Sequence, residues 1–494
     1  MLKKLGFLKM AVIVCGLLLL LTGCSMDYSS SDQSSGGGTT DTDGDTDTGG
    51  GSADDITADD VAPPGELAEL TDVGDLLDGV GDNWYFTKVM AIAEDGSIVG
   101  QSNAGGPVKA AFLWDATSET MTYLGIHPGG PWSDYYFLKE EPPNDWLIYS
   151  EAVGISSLGE VIGNSTTGAG WPEEPAKRGF YWSPGTGFVD LAPNHWPKDI
   201  DTLTIESFSE AIAINDDYVL VNADGKTGRH GYYWDKVSTK QYTVLDDADN
   251  PVTFTMPNYN VLGGVVGADS EAVAINSYNQ AILNSGGTVI FHDIGKGIVE
   301  ALNHLPGASS TSSVDINDSQ PTGHVVGTSG NEAFFWDGGA MYPCGSLGGG
   351  ISTATDINNY DQVVGNSKAA NGNTHAFVWT LSANGQGVMT DLGTLGGKNS
   401  WATAINDNGV VIGYSETGET YTQGEQSRAV VHGCVWYDDI IYDLGIHNDF
   451  YEYPFVQSYP FSEAVVINES NRIAGNSTTI NSHSRGFIID PVFP

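Results

Sequence analysis

The sequence predicts an all-β protein: a β-propeller of four-stranded antiparallel blades, eight of them, closed by an N-terminal strand that completes the C-terminal blade. Three observations carry this. First, one phrase recurs: a Ser or Thr, a small residue two positions on, an isoleucine five positions on and usually Asn after it, then a turn and a valine-rich stretch. The isoleucines of the eight copies are Ile92, Ile155, Ile214, Ile275, Ile316, Ile357, Ile405 and Ile467. A unit of about 41 residues, as from Ile275 to Ile316 to Ile357, carries insertions of variable length, and a period of that size marks a repeat architecture. Second, each unit reads as short β-rich segments between polar turns, without helical periodicity; the clearest has them at 354–358, 362–365, 375–379 and 388–393. One such meander cannot cover both its faces, whereas stacking the units and closing the ring covers them and removes exposed edges. Third, the two ends complement each other. The last unit stops after its third strand, and Thr71-Asp-Val-Gly74-Asp-Leu76 matches Thr390-Asp-Leu-Gly393-Thr-Leu395, the fourth strand of the clearest unit. A seven-bladed ring with one unit outside it is the alternative, and it would leave both end pieces as open edges.

Taken in order, residues 1–24 read as a targeting segment. Lys3, Lys4 and Lys9 form a positive region, 10–21 is apolar but short for a bilayer span, and Leu21-Thr22-Gly23-Cys24 resembles a bacterial lipobox. That resemblance makes Cys24 the lipid-modified residue and the membrane, through the lipid, a partner. Ser25 rather than Asp at the next position favours the outer membrane in a cell that has one. Residues 25–64, built from Ser, Gly, Thr and Asp, cannot bury enough apolar surface to fold and read as a tether. The alternating acids from Asp41 to Asp47 resemble a calcium loop, but Thr46 stands where its glycine belongs and Ser52 where its bidentate Glu belongs. Residues 65–494 form a single propeller domain. The net charge of −44 excludes nucleic acid as a partner, because phosphate binding needs a basic face. With Cys15 and Cys24 assigned to the leader, Cys344 and Cys434 remain in units that are not neighbours, which predicts buried free thiols and no cysteine metal site.

Within the units, Trp114, Trp182, Trp234, Trp336, Trp379 and Trp436 close the third strand and are expected to pack between blades. Asn215, Asn276, Asn317, Asn358, Asn406 and Asn468 open a tight turn whose backbone the amide can satisfy. His375-Ala-Phe377, Asp391-Leu-Gly-Thr-Leu-Gly-Gly397 and Ala404-Ile-Asn406 resemble the HAF family of bacterial extracellular repeat proteins over roughly residues 70–490. The resemblance implies an extracytoplasmic repeat protein and transfers no catalytic residue.

Function is expected where the units differ. The linkers into several units are long and aromatic, with Trp132, Tyr135 and Trp146 before unit two, Trp196 before unit three, and Tyr451 and Tyr453 before unit eight. The residue after the repeated Ser/Thr is, by unit, Lys88, Glu151, Glu210, Glu271, Ser312, Thr353, Trp401 and Glu463. The lysine and the four glutamates fall in consecutive units around a closed ring and are expected at the channel rim. There the carboxylates would raise one another's pKa, and Lys88 would lower those beside it. Three readings follow. The first is a binding module holding a glycan or other polymer on Lys88, the four glutamates and the loop aromatics, since aromatics stack on sugar faces while carboxylates take hydroxyls. The second is a polysaccharide-cleaving enzyme using two of Glu151, Glu210, Glu271 and Glu463 as acid and base. The third is an adhesion or scaffold protein that binds another envelope protein. No cofactor is required, although the hard oxygens of the cluster suit calcium.

Overall fold

The computed structural model describes residues 71–74, 86–103, 109–125, 149–166, 177–191, 208–225, 228–245, 251–263, 268–423, 426–446, 461–478 and 484–493. All regular elements among them are strands. Eight four-stranded antiparallel sheets follow one another, numbered here as blades by their innermost strands. These are Thr87–Ile92, Ser150–Ile155, Ser209–Ile214, Ser270–Ile275, Thr311–Ile316, Gly348–Ile357, Ser400–Ile405 and Ser462–Ile467. Blade 3 departs from the simple meander. Its fourth strand is Asn260–Val261, reached through a hairpin, Thr239–Leu245 with Pro251–Pro257, that pairs with itself. The sequence reading did not single out this insertion.

Closure is as the sequence predicts. Thr71–Asp72 pairs antiparallel with Ser484–Ile489, placing Thr71 opposite Ile488 and Asp72 opposite Phe487. The seam reproduces the bonds of the continuous blades. Thr87 Oγ1 donates to the Gly74 carbonyl at 2.7 Å, as Ser400 Oγ does to that of Gly393 at 2.6 Å. Arg485 Nη1 meets Asp72 Oδ2 at 2.7 Å, as His375 meets Asp391 at 2.8 Å.

Apolar clusters lie between neighbouring blades, because each sheet is covered on both faces. Phe335 of blade 5 packs with Ala354, Phe377 and Trp379 of blade 6, and Val73, Ala474 and Ile488 of blade 8 pack with Val89, Phe112 and Trp114 of blade 1. The third-strand tryptophans are buried in this packing, Trp379 fully, with Trp182 only partly so. Cys344 and Cys434 are buried free thiols.

The repeated asparagine does more than its predicted local task. Asn406 Oδ1 accepts the amides of Asn408 and Val410, closing its own turn, while Nδ2 donates to the Asn468 carbonyl of the next blade at 3.0 Å. The same bond runs from Asn215 to Asn276, to Asn317, to Asn358, to Asn406, and from Asn468 to the Ala93 carbonyl of blade 1. A second series lies further along the blades. Asn164, Asn222, Asn284, Asn366 and Asn476, on second strands, each accept a backbone amide from the innermost strand of the next blade, at 2.7–3.0 Å.

Candidate functional site: a charged arc at one end of the ring

Each innermost strand enters the ring at its repeated Ser/Thr and leaves at the asparagine turn, which gives the ring an entry end and a turn end. The entry position is fixed by the hydroxyl. Ser400 Oγ accepts the Ala376 amide at 3.0 Å and donates to Gly393, so the next residue is placed in the same way in blade after blade. A register shift two to four residues past the hydroxyl recurs in all eight innermost strands. This bulge keeps Ser and Ile five residues apart while turning the strand along the axis.

Lys88, Glu151, Glu210, Glu271 and Glu463 occupy this register and are partly buried. The sequence reading expects the carboxylates to crowd one another. The structure instead sets cations between them. Lys177 Nζ lies 2.6 Å from Glu210 Oε1 and 3.6 Å from Glu151 Oε1, joining blades 2 and 3. Arg229 Nη1 stands 3.6 Å from Glu271 Oε1, while its Nε bonds Asp224 and its guanidinium lies over the Phe208 ring. Burial alone would pull the Lys177 ammonium down, but the Glu210 and Glu151 charges outweigh it and hold it above the usual lysine range. Lys109 is pulled down, first by burial and then by Lys88, and its ammonium sits 3.7 Å from the Phe86 ring centroid.

The Glu463 carboxyl is held above the usual glutamate range, and the cause is burial, not a neighbouring carboxylate. Lost solvent pushes it up against the Asn476 amide, at 3.2 Å, and the Lys88 charge. Beside it stands an aromatic platform. Trp401, at the same register in blade 7, stacks on Tyr414 with centroids 5.1 Å apart and planes at 23°, and Tyr414 meets Phe461 at 6.1 Å. Burial and the Glu463 charge both raise the Tyr414 phenol. Around the arc the order is Glu463, Lys88 with Lys109, Glu151, Lys177, Glu210, Arg229, Glu271: acid and base in alternation.

Such an arc can present donors and acceptors to a neutral polar chain. Glu151 and Glu210 share the Lys177 ammonium, so neither of these two carboxylates stands without a cation beside it. Lys109, Lys177, Arg229 and the Trp401–Tyr414 pair were not among the predicted ligand-binding residues. A signal was available: five residues before the third-strand tryptophan stand Lys109, Lys177 and Arg229 in blades 1 to 3, whereas blades 5 and 6 have Asn331 and Thr374 there. Trp132, Tyr135, Trp146, Trp196, Tyr451, Tyr453 and Cys24 lie outside the described residues. Among the described residues no group of three or more His, Cys, Asp or Glu has metal-site geometry, which concerns the calcium suggestion.

No family model matches the chain, and no curated protein matches it. Solved structures similar to it include the WD40 domain of SCAP from fission yeast, at 9% identity and TM-score 0.41 over 85% of this chain and 98% of that one. The β-propeller domain of the Trilobed protease from Pyrococcus furiosus matches at 8% identity and TM-score 0.35, over 68% and 91% of the two chains. TolB from Acinetobacter baumannii matches at 10% identity and TM-score 0.28, over 81% and 78%. At these scores the likenesses carry no argument about what the chain does; its own eight closed sheets define it as an eight-bladed β-propeller.

Proposed function

We propose that the protein is an extracytoplasmic binding module, tethered by lipid on Cys24, that holds a glycan or other hydroxyl-rich polymer across the entry end of its ring. A propeller supports a binding or scaffold role in general. The observation that supports the finer reading is the arc from Glu463 to Glu271, in which Lys177 and Arg229 alternate with the glutamates at one-blade spacing. A row of alternating acceptors and donors suits hydroxyls, which both give and take hydrogen bonds. The Trp401–Tyr414 stack at the end of the row offers the flat apolar surface that a sugar ring covers. The aromatic loops expected from the sequence would extend that surface, and the HAF-like motifs fit an extracytoplasmic setting.

The test is retention on immobilised cell-wall polysaccharide together with a glycan array. Native protein should be retained, and Trp401→Ala or the pair Glu210→Gln with Lys177→Gln should lose about tenfold or more in affinity, the loss of one good contact. Absence of binding by native protein, or equal binding by these variants, overturns the reading. Cys24→Ser should release the protein from the membrane fraction; retention there removes the lipid tether from the account.

A further inference from the structure

At the opposite, turn end the ring opens into a cavity of about 400 Å³. Its lining combines isoleucines, Ile155, Ile214, Ile275, Ile316, Ile357 and Ile405, one from each of six consecutive blades, with the polar Asn215, Asn276, Asn317 and Asn358. Its lip is acidic. The residue after the repeated asparagine is Asp216, Asp318, Asp407 or Glu469 in blades 3, 5, 7 and 8, and each lines the cavity. These side chains are tied head to tail. Asp318 Oδ1 accepts the Ser277 amide at 2.8 Å, Asp407 Oδ1 that of Asn359 at 2.7 Å, and Glu469 Oε2 that of Asp407 at 2.8 Å. These bonds tie each of the three side chains to the turn of the preceding blade.

Two further observations separate this end from the entry end. There every arc glutamate has a lysine or arginine near it; here Lys236, paired with Glu160, reaches Asp216 only at its backbone carbonyl, at 2.7 Å, and among the described residues no lysine or arginine comes within ion-pair distance of Asp318, Asp407 or Glu469. The turns flanking the cavity also expose large side chains: Leu158 at 64%, Tyr278 at 52% and Tyr360 at 71%. Burial is the main cause that raises the Glu469 carboxyl; the Asp407 amide it accepts opposes the rise, and the Asp407 and Glu94 charges add to it.

We propose that the turn-end cavity is a docking site for a partner protein that inserts one basic side chain, lysine or arginine, from an exposed loop. The cationic head would lie among the lip carboxylates, the aliphatic stem along the isoleucines, and the flanking residues of the loop against Tyr278 and Tyr360. A cavity of this size lies within the range of about 300–1,000 Å³ typical of specific sites. Its mixed wall matches a long side chain with an apolar stem and a charged tip. The site uses none of the residues of the entry-end arc, so it stands or falls independently of polymer binding there.

The test exploits blade 6, where the lip residue is Asn359. Its Oδ1 accepts the Asp318 amide at 2.8 Å, so Asn keeps the head-to-tail bond without the charge. The triple variant Asp318→Asn, Asp407→Asn, Glu469→Gln should therefore fold, which its unfolding midpoint confirms. A control variant, Glu300→Gln, Glu419→Gln, Asp439→Asn, removes three charges from exposed positions outside the cavity lining. The probes are a blocked glycine pentapeptide with one central lysine and the same peptide acetylated on that lysine, titrated calorimetrically into full-length protein at pH 7. The lysine peptide should bind native and control proteins alike. It should bind the lip variant at least about tenfold more weakly, the acetylated peptide should bind no better than that, and binding should weaken with salt. No binding of the lysine peptide by native protein, equal weakening in lip and control variants, or equal binding of the acetylated peptide would each overturn the proposal.

Discussion

Gly365 has no room for a side chain. A β-carbon there would fall 2.1 Å from the Thr353 carbonyl oxygen and 3.0 Å from the Phe377 ring, and Gly475 stands in the same relation to Glu463. The bulge of the innermost strand drives that carbonyl toward the second strand, which is why the valine-rich stretch ends in glycine in most units. Gly365→Ala should cost about 1–3 kcal/mol, the range for overpacking a filled interior, or more because the obstacle is backbone. Gly185→Ala, in a turn with nothing within 4 Å, should stay within about 0.5 kcal/mol in the same urea titration. Comparable losses would remove the steric account. The sequence displays the glycine but not its reason, since the bulge appears only once strands are paired. The asparagines divide in the same way. Their turn role is legible because the partners are two to four residues away, whereas Asn276 and Asn406 reach partners 41 and 62 residues on.

Among the elements, the closing strand was the most legible, because Thr71 to Gly74 repeats a motif whose place in a complete blade is plain. Its strength rests on a two-residue pairing, the Thr87 hydroxyl and the Arg485–Asp72 ion pair, whose side chains are only 14% and 28% exposed. A double-mutant cycle with Asp72→Ala and Arg485→Ala should return a coupling of about 0.5–3 kcal/mol, as for residues in direct contact. The cycle on Arg178 and Asp190, which make the equivalent bond at 2.8 Å within continuous blade 2, provides the comparison. Zero coupling at the seam with normal coupling in blade 2 would mean that the ring is not closed this way. The arc was half legible. The glutamates declared themselves by breaking the repeat at one register, whereas Lys177 and Arg229 stand on the third strand of the preceding blade. Only the blade-to-blade offset brings them across.

For the molecule as a whole, packing eight innermost strands around one axis forces carboxyls together inside the ring. Asp315 and Asp356 occupy the bulge in neighbouring blades, and both are held above the usual aspartate range, chiefly by burial. For Asp356 the Asp315 charge adds to the rise, against the Ile405 and Ile357 amides that its two oxygens accept at 2.8 Å each. A carboxyl whose pKa rises on folding binds its proton more tightly in the native state. The stability it contributes is complete below the unfolded value, near 3.8, and is lost as pH climbs through the native value. Glu463 and Glu469 act in the same direction. Buried His292, held below its ordinary 6.5, acts oppositely as the solution is acidified, so the total slope mixes signs. The difference between native protein and Asp356→Asn isolates the pair, because His292 is common to both. Replacing Asp356 sacrifices one acceptor of a backbone amide at every pH, so the variant should be the less stable protein near pH 4. Its deficit should then shrink steadily toward pH 8, as the native protein alone surrenders the proton that Asp315 and Asp356 hold between them. Urea midpoints taken across that interval decide the matter, and a deficit that stays constant would mean that the two carboxyls do not titrate as a buried pair.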